Sequence, residues 1–413
     1  MAFGSAPDDK ELFAEWSTFC DRLKSAGERV FKDPNPATGL QRVDGFRYLT
    51  QNLSQAFDLA LETKNTQYPK LHTFCSPWRK LGSDNADCMY LQAWIDGNSV
   101  YKISGKRGTA RMWNVTVQGP RSIQAYGGTA NRPLHEPFGD TPEANLFGED
   151  LKTNWDGSFE IFIGGEKQGP NWLPTTKGTR KLFLRQYFDS WDEEPADYRI
   201  ERVGMTTPRP MPTPEEMKDA MRWASDFVYN VVDYWPEWTW STHQASDPTK
   251  PNSFGHQDNP GANQTDQKRG RVAAQMWWRL AADEALMVEF EDPRTFWMIT
   301  AEGVFGNSMD YLYREVSFTP SRTAVDADGM IRMVFSAKDP GYWNWIDNQG
   351  YTAGALSFRN VRANELPDLH TKVVKVSDVA SHMHASSKKA TQADRVVQLQ
   401  RRYDGIMRRY RIG

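Results

Sequence analysis

The sequence predicts an α+β protein, with N-terminal helices followed by two tandem antiparallel β-sandwich-like units related by internal duplication. Three observations lead there. Apolar residues alternate with period two through much of residues 86–205 and 282–377, the mark of strands with one buried face. Five short blocks recur in the same order in both stretches, which points to a repeated supersecondary unit. No βαβ alternation and no glycine-rich phosphate loop is present, so a parallel doubly wound sheet is excluded. Sandwiches or jelly-roll-like sheets are the natural class.

Residues 1–85 read as helical. Asp8 or Asp9 can cap a first helix, which places Leu12, Phe13, Trp16, Phe19, Cys20 and Leu23 on one face. The Pro/Asn/Gly stretch 33–39 ends it. A second helix carries Phe46, Leu49, Leu53, Phe57, Ala60 and Leu61 on its apolar stripe. The first β unit spans 86–205, with Trp113, Val115 and Val117, then Phe159, Ile161 and Ile163, as buried alternations. A connecting segment, 206–281, opens with Thr213-Pro214-Glu215-Glu216, the cap, proline and glutamate of a capping box. It ends in a polar loop over 241–270, long enough to be a lid, a partner contact or a disordered stretch. The second β unit spans 282–377, and a helical tail spans 378–413.

The duplication is read block by block. Asp87–Asp96 matches Asp283–Asp292 at an offset of 196, and Val100, Tyr101 and Ile103 match Phe296, Trp297 and Ile299. Asp156-Gly157 matches Asp328-Gly329 at an offset of 172. Asn171-Trp172-Leu173 then matches Asn344-Trp345-Ile346, and Leu182, Leu184 and Arg185 match Leu356, Phe358 and Arg359. The fall in offset assigns about 24 extra residues to the first unit, placed as an inserted loop over 124–150. An insertion that the repeat does not need is where function tends to be added.

The second block set carries a resemblance. Asp339-Pro340-Gly341, Asn344-Trp345-Ile346-Asp347, Gly350, Gly354 and Arg359, with Asp283-Glu284-Ala285-Leu286 and Phe296-Trp297 ahead of them, resemble the domain-of-unknown-function family 1214 over about residues 280–376. The first unit looks like a diverged companion domain. The resemblance implies β-sandwich domains, often bacterial, and no family chemistry. Tyr342-Trp343 and Tyr351 depart from the family pattern, which has a small or apolar residue and a histidine there.

Composition narrows the function classes. Fifty Lys and Arg against 53 Asp and Glu give a net charge of −3, so no nucleic-acid footprint is expected. The basic stretch from Arg401 to Arg411 reads as the solvated face of a terminal helix. No apolar run suits a membrane span or a secretory leader, so a cytoplasmic location is expected. Three cysteines without CxxC spacing suggest neither a disulfide framework nor a zinc site. Aromatic residues reach 13%, with 16 Trp, enough to fill cores or to line a cleft for flat ligands.

No metal or nucleotide motif stands out, and no cofactor is expected. His382-Met383-His384 lies in a polar tail, where a clamped metal would be adventitious. His135, Glu136 and Asp140, within the insertion, are the candidate acid and base groups, because histidine titrates near neutrality and a neighbouring carboxylate tunes it. The acidic run Asp189, Asp192, Glu193 and Glu194 around Trp191 reads as a solvated turn. Trp172, Arg185, Trp345 and Arg359 are the candidate substrate-binding residues, in a groove shared by the units; as a repeated set they equally suit the scaffold. The expected function is a cofactor-independent hydrolase or lyase acting on a bulky hydroxylated substrate, a glycoside or polycyclic alcohol. The alternative is a non-catalytic carbohydrate-binding or assembly protein. The expected partner is a small molecule or glycan, with self-association left open.

Overall fold

The alternating stretches fold as strands, and their pairing makes the repeat explicit. The computed structural model describes residues 8–120, 140–242, 251–256 and 271–411. The first unit contains β1 (His72–Cys75), β2 (Cys88–Trp94), β3 (Tyr101–Lys106), β4 (Met112–Gly119), β5 (Thr141–Phe147), β6 (Ser158–Ile163), β7 (Trp172–Leu173), β8 (Lys181–Tyr187) and β9 (Arg199–Arg202). The second contains β10 (Gly255–His256), β11 (Arg271–Arg279), β12 (Glu284–Glu291), β13 (Phe296–Glu302), β14 (Ser317–Phe318), β15 (Met330–Ser336), β16 (Trp345–Asp347), β17 (Ala353–Val361) and β18 (His370–Lys375).

A five-stranded sheet in each unit runs β1-β2-β8-β4-β5 and β10-β11-β17-β13-β14. A four-stranded sheet runs β7-β6-β3-β9 and β16-β15-β12-β18. Every strand of one unit has its counterpart nine strands later. Pairing is antiparallel except for β6 with β7 and β15 with β16, which are parallel in both units.

The local devices repeat as well. Asp156 Oδ1 accepts the Ser158 amide at 3.0 Å and Asp328 Oδ1 the Met330 amide at 3.1 Å, across Gly157 and Gly329, whose φ values of +78° and +83° favour glycine. The Asn171 amide nitrogen donates to the Lys152 and Glu160 carbonyls. Asn344 donates in the same way to Ala324 and Arg332.

Two expectations shift. Sheet pairing aligns β2 with β11 and β3 with β12, so the match of Asp87–Asp96 to Asp283–Asp292 is one strand out of step. Both strands carry the same alternation, and alternation alone cannot tell neighbouring strands apart; the sheet partners can. Arg185 on β8 pairs with Tyr90 and Asn114, and Arg359 on β17 with Ala273 and Met298, which fixes the equivalences. The insertion is correspondingly smaller. Val115 to Leu146 spans 31 positions and Ile299 to Phe318 spans 19, an excess of 12 between β4 and β5. Residues 141–147 are not insertion but β5, the counterpart of β14. The outer strands β1 and β10 also carry the sheets beyond the expected unit limits of 86 and 282, because their edges pair there.

Each sandwich closes on its own core. Leu91, Trp113, Val115, Val117, Leu182 and Leu184 of the first five-stranded sheet meet Ile103, Phe159, Ile161 and Ile163 of the four-stranded one. The second core is richer in aromatics, with Trp297 stacked on Phe358 at 5.6 Å and edge-on to Phe290 at 5.2 Å. Burying one such ring contributes about 1.5–3 kcal/mol, so rings do here what aliphatic bulk does elsewhere.

The outer faces of the two five-stranded sheets share a third core with the helices, which include α1 (Asp9–Arg29), α2 (Gly39–Phe57) and α3 (Pro214–Thr242). α1 runs parallel to α3, tied by Lys218–Glu11, Arg222–Glu15, Arg22–Asp226 and Arg29–Asp233. α3 begins with the expected capping box: Thr213 Oγ1 accepts the Glu216 amide at 3.2 Å, and Glu216 accepts the Thr213 amide at 2.7 Å. Thr213→Ala is expected to cost about 0.5–2 kcal/mol. Urea titration of the variant measures it, and an unchanged midpoint would remove the cap from the account.

The tail differs from expectation. α4 (Gln392–Tyr410) is a helix, but its basic residues divide, with Arg401 and the C-cap Arg411 more than half exposed and others turned inward. Arg395, Arg402 and Arg409, spaced by seven, are 4%, 0% and 2% exposed. Arg402 and Arg409 lie over the Trp191 ring at 4.6 and 4.5 Å, and Arg402 pairs with Glu315. The acidic run supplies the rest of the clasp through Asp192–Arg401 and Glu194–Arg408, while Asp189 Oδ1 accepts the Ser321 amide of the second unit. Opposite charges meet here, but the outer pairs keep water: Asp192, Glu194 and Arg401 stay more than half exposed, while the α4 arginines that face Trp191 leave it.

Candidate functional site on the first five-stranded sheet

The units meet through the outer faces of their five-stranded sheets. Arg359 donates to the Ser83 carbonyl at 2.7 Å, and Cys88 Sγ lies 3.8 Å from Met298 Sδ. Strand alternation decides which side chains reach that face. On the first unit His72, Gln92, Phe183, Thr116 and Asn145 form one cross-strand row, and Tyr90, Arg185 and Asn114 the next.

Buried polar groups normally find partners, and those that do not call for an explanation. Thr116 is satisfied, donating to the Phe183 carbonyl at 2.9 Å. Among the described residues, Gln92, 0% exposed, leaves both amide atoms unpaired, and so does Asn114, 1% exposed. His72 Nε2 is buried and finds no partner among the described residues either. Burial lowers the His72 pKa to about 4 against the opposing pull of Asp58, so the ring is neutral at pH 7 with a nitrogen free to act. Asp58 opens a π-helical turn, Asp58–Glu62, continuing α2, and Leu59 there accepts the Trp94 indole N–H at 3.3 Å. Such turns recur at functional sites.

The second unit is an internal control. Following the sheet registers, Gly255 stands for His72, Gln275 for Gln92, Met298 for Asn114, and Ala355 for Lys181. Arg185 and Arg359 are kept, and so are Thr116 and Thr300. The scaffold repeats, whereas the polarity at 72, 114 and 181 belongs to the first unit alone.

The residues singled out from sequence fall in separate places. His135 and Glu136 lie outside the described residues. Asp140 is buried in ion pairs, 2.5 Å from Arg180 and 3.6 Å from Lys181, which occupy its oxygens. Trp172 and Trp345 sit at the edges of the four-stranded sheets, not at the junction. Their indole N–H groups bond the Gly164 and Ser336 carbonyls at 3.1 and 3.2 Å. Arg185 lies over the Phe183 ring at 4.0 Å, and Arg359 stands 3.7 Å from Glu302. The two arginines thus share the junction while the two tryptophans do not. The thiols of Cys75 and Cys88 are pushed up by burial, Cys88 to about 11, so neither is a nucleophile at neutral pH. Among the described residues Asp326, Asp328 and His384 could converge on a metal, but Arg332 already pairs with both carboxylates. No helix of the described residues is long and apolar enough to cross a membrane.

A cleft of about 100 Å³ opens beside Asn114, lined by Arg107, Arg111, Trp113, Phe147, Glu149 and Arg362 among others. A shallower depression of about 360 Å³ lies at the sandwich edge, where Asp197 pairs with Arg411. Only the first touches one of the unpaired amides.

Residues 91–189 match the family described as protein of unknown function DUF1214. The DUF1214 segment therefore falls on the first unit, from β2 through β8, rather than on the second, where the motif resemblance lay. Shared topology accounts for the exchange, since both units present the same turns and the same Asn-Trp pair. The segment contains Gln92, Asn114, Lys181 and Arg185 and leaves out His72. Among solved structures the chain is similar to an uncharacterized protein from Burkholderia cenocepacia, 27% identical with a TM-score of 0.78, covering 89% of this chain and 99% of that one. It is also similar to a Vibrio parahaemolyticus protein, 14% identical with a TM-score of 0.42, covering 86% and 100%. No curated protein matches the chain.

Sequence reasoning missed His72, Gln92 and Asn114. Each sits in an ordinary alternating strand, and only the contrast with Gly255 and Met298, available once the units are aligned strand by strand, sets two of them apart.

Proposed function

We propose that the chain is an acid–base enzyme acting on a bulky hydroxylated substrate, held against the outer face of the first five-stranded sheet. One observation carries the reading: His72, Gln92 and Asn114 hold unpaired polar atoms on one buried face, and two of the three are replaced by Gly255 and Met298 in the sister unit. A carboxamide offers a donor and an acceptor side by side, and a hydroxyl answers both. Gln92 and Asn114 lie two strands apart, roughly 10 Å, which calls for an extended ligand. Neutral His72 is the proton acceptor for hydrolysis or elimination.

Asn114→Met, which installs the sister unit's residue, tests this. Each unpaired buried polar group costs about 1–3 kcal/mol, so the variant is expected to be more stable than the parent. It is expected to bind its ligand at least about tenfold more weakly, the loss of one buried hydrogen bond of about 1.4 kcal/mol. The assay is a screen of glycosides and hydroxylated polycycles, followed by thermal denaturation. A destabilised variant with unchanged binding would make Asn114 a packing residue and end the proposal. Saturable binding without turnover, unaffected by His72→Gln, would instead favour the binding-protein alternative.

A further inference from the structure

Three of the residues lining the cleft beside Asn114 carry a donor with no hydrogen-bond partner among the described residues. Arg107 Nη1, Trp113 Nε1 and the Asn114 amide are buried and unpaired, Trp113 and Asn114 each at 1% exposure. Guanidinium and indole only donate, so what satisfies them must be rich in acceptors. The charge agrees. Among the described residues Arg107, Arg111 and Arg362 line the cleft against one acid, Glu149, which Arg362 already meets at 3.2 Å. Arg107 is anchored from outside the cleft, its Nη2 donating to the Ala110 carbonyl at 3.1 Å, which leaves Nη1 free. The floor is kept open by Gly148. A Cβ there would come within 3.2 Å of Trp113 Nε1 and 3.3 Å of Arg107 Nη2. A cleft of about 100 Å³ has room for a carboxylate or sulfate group.

We infer that this cleft is an oxyanion subsite and that the substrate is a hydroxylated acid, its carboxylate or other oxyanion seated between Arg107, Arg111, Trp113 and Asn114. The inference rests on the reading above, because Asn114 belongs to both sites. Arginine and carboxylate meet through charge-assisted, often bidentate bonds, about twice as strong as neutral ones.

Two probes separate the two ideas. 6-Hydroxy-2-naphthoate and 2,6-dihydroxynaphthalene share a hydroxylated body and differ in the anion. Calorimetry on the full chain is expected to favour the naphthoate by at least about tenfold, with a preference that shrinks as salt rises. Arg111 is exposed, so Arg111→Ala should fold normally and bring the two affinities together while leaving the diol unchanged. Gly148→Ala, at a position without positive φ, should do the same by filling the cradle. Equal affinities in the parent protein, indifferent to both substitutions, overturn the oxyanion subsite and leave the hydroxylated-ligand reading standing. If neither naphthalene binds but sulfate does, and Arg111→Ala weakens it, the subsite stands and the hydroxylated-ligand reading falls. Silence from all three probes overturns both.

Discussion

Arg402→Ala is expected to lower the unfolding free energy by about 3–5 kcal/mol, the range for removing one partner of a buried ion pair. Arg402 is fully buried, pairs with Glu315, and donates to the Ser317 carbonyl at 3.0 Å. Its removal strands the Glu315 carboxylate, whose side chain is only 7% exposed, and takes a cation from the face of Trp191. The neighbour supplies the control. Arg401 pairs with Asp192, but both side chains are more than half exposed, so Arg401→Ala should cost no more than about 1 kcal/mol. Denaturant titrations of the two variants side by side decide the matter. Equal losses would mean that α4 is held by helix packing in general and not by the arginines that face Trp191. Because Trp191 lies in the first unit and Glu315 in the second, the weakened clasp should also let protease reach the tail before the sandwiches open.

The second large effect is a pH dependence. His72 has its folded pKa lowered to about 4, below the ordinary value of about 6.5 that holds in the unfolded chain. Between those values the unfolded chain binds the proton and the folded one does not. The contribution is therefore complete above about pH 6.5 and lost progressively as pH falls to about 4. Two and a half pH units correspond to about 3 kcal/mol. The carboxylates of Asp84 and Glu302, raised by burial, pull the opposite way, so the quantity to measure is the difference between the parent and His72→Gln. That difference should slope across pH 4 to 6.5 and be flat above it. A His72→Gln profile parallel to the parent's would show that the ring is solvated, and the assignment of His72 as a base would go with it. If His72 is the base, the same variant should lose about 10²–10⁴-fold in turnover at pH 7.

Legibility followed locality. The capping box at Thr213 and the Asp-Gly turns at 157 and 329 involve residues within four positions of one another, and each formed as read. The repeat of Asn171-Trp172 and Asn344-Trp345 was equally plain as a pair of neighbours, although each asparagine bonds carbonyls 11 to 20 residues back, which only the fold shows. What slipped was the alignment of β2 with β12, since a period of two is shared by every half-buried strand. The inward turn of Arg395, Arg402 and Arg409 on α4 was not legible for a related reason. A helix with arginines spaced by seven shows which residues share a face, but not what that face meets.

The sequence by itself determined that two like β units follow a helical start, that a capping box opens the helix at Thr213, that turns fall at the two Asp-Gly pairs, and that the first unit is longer between β4 and β5. These are consequences of backbone chemistry and of burying one face, and they act over a few residues. Only the tertiary structure decided that the five-stranded sheets meet across a shared helical core, that Trp172 and Trp345 stay apart, and that Trp191 is clasped by arginines from more than 200 residues away. It also decided that His72, Gln92 and Asn114 lie unpaired on one face. An unmet hydrogen bond is a property of everything that surrounds an atom. No stretch of sequence contains it until distant strands have been brought side by side.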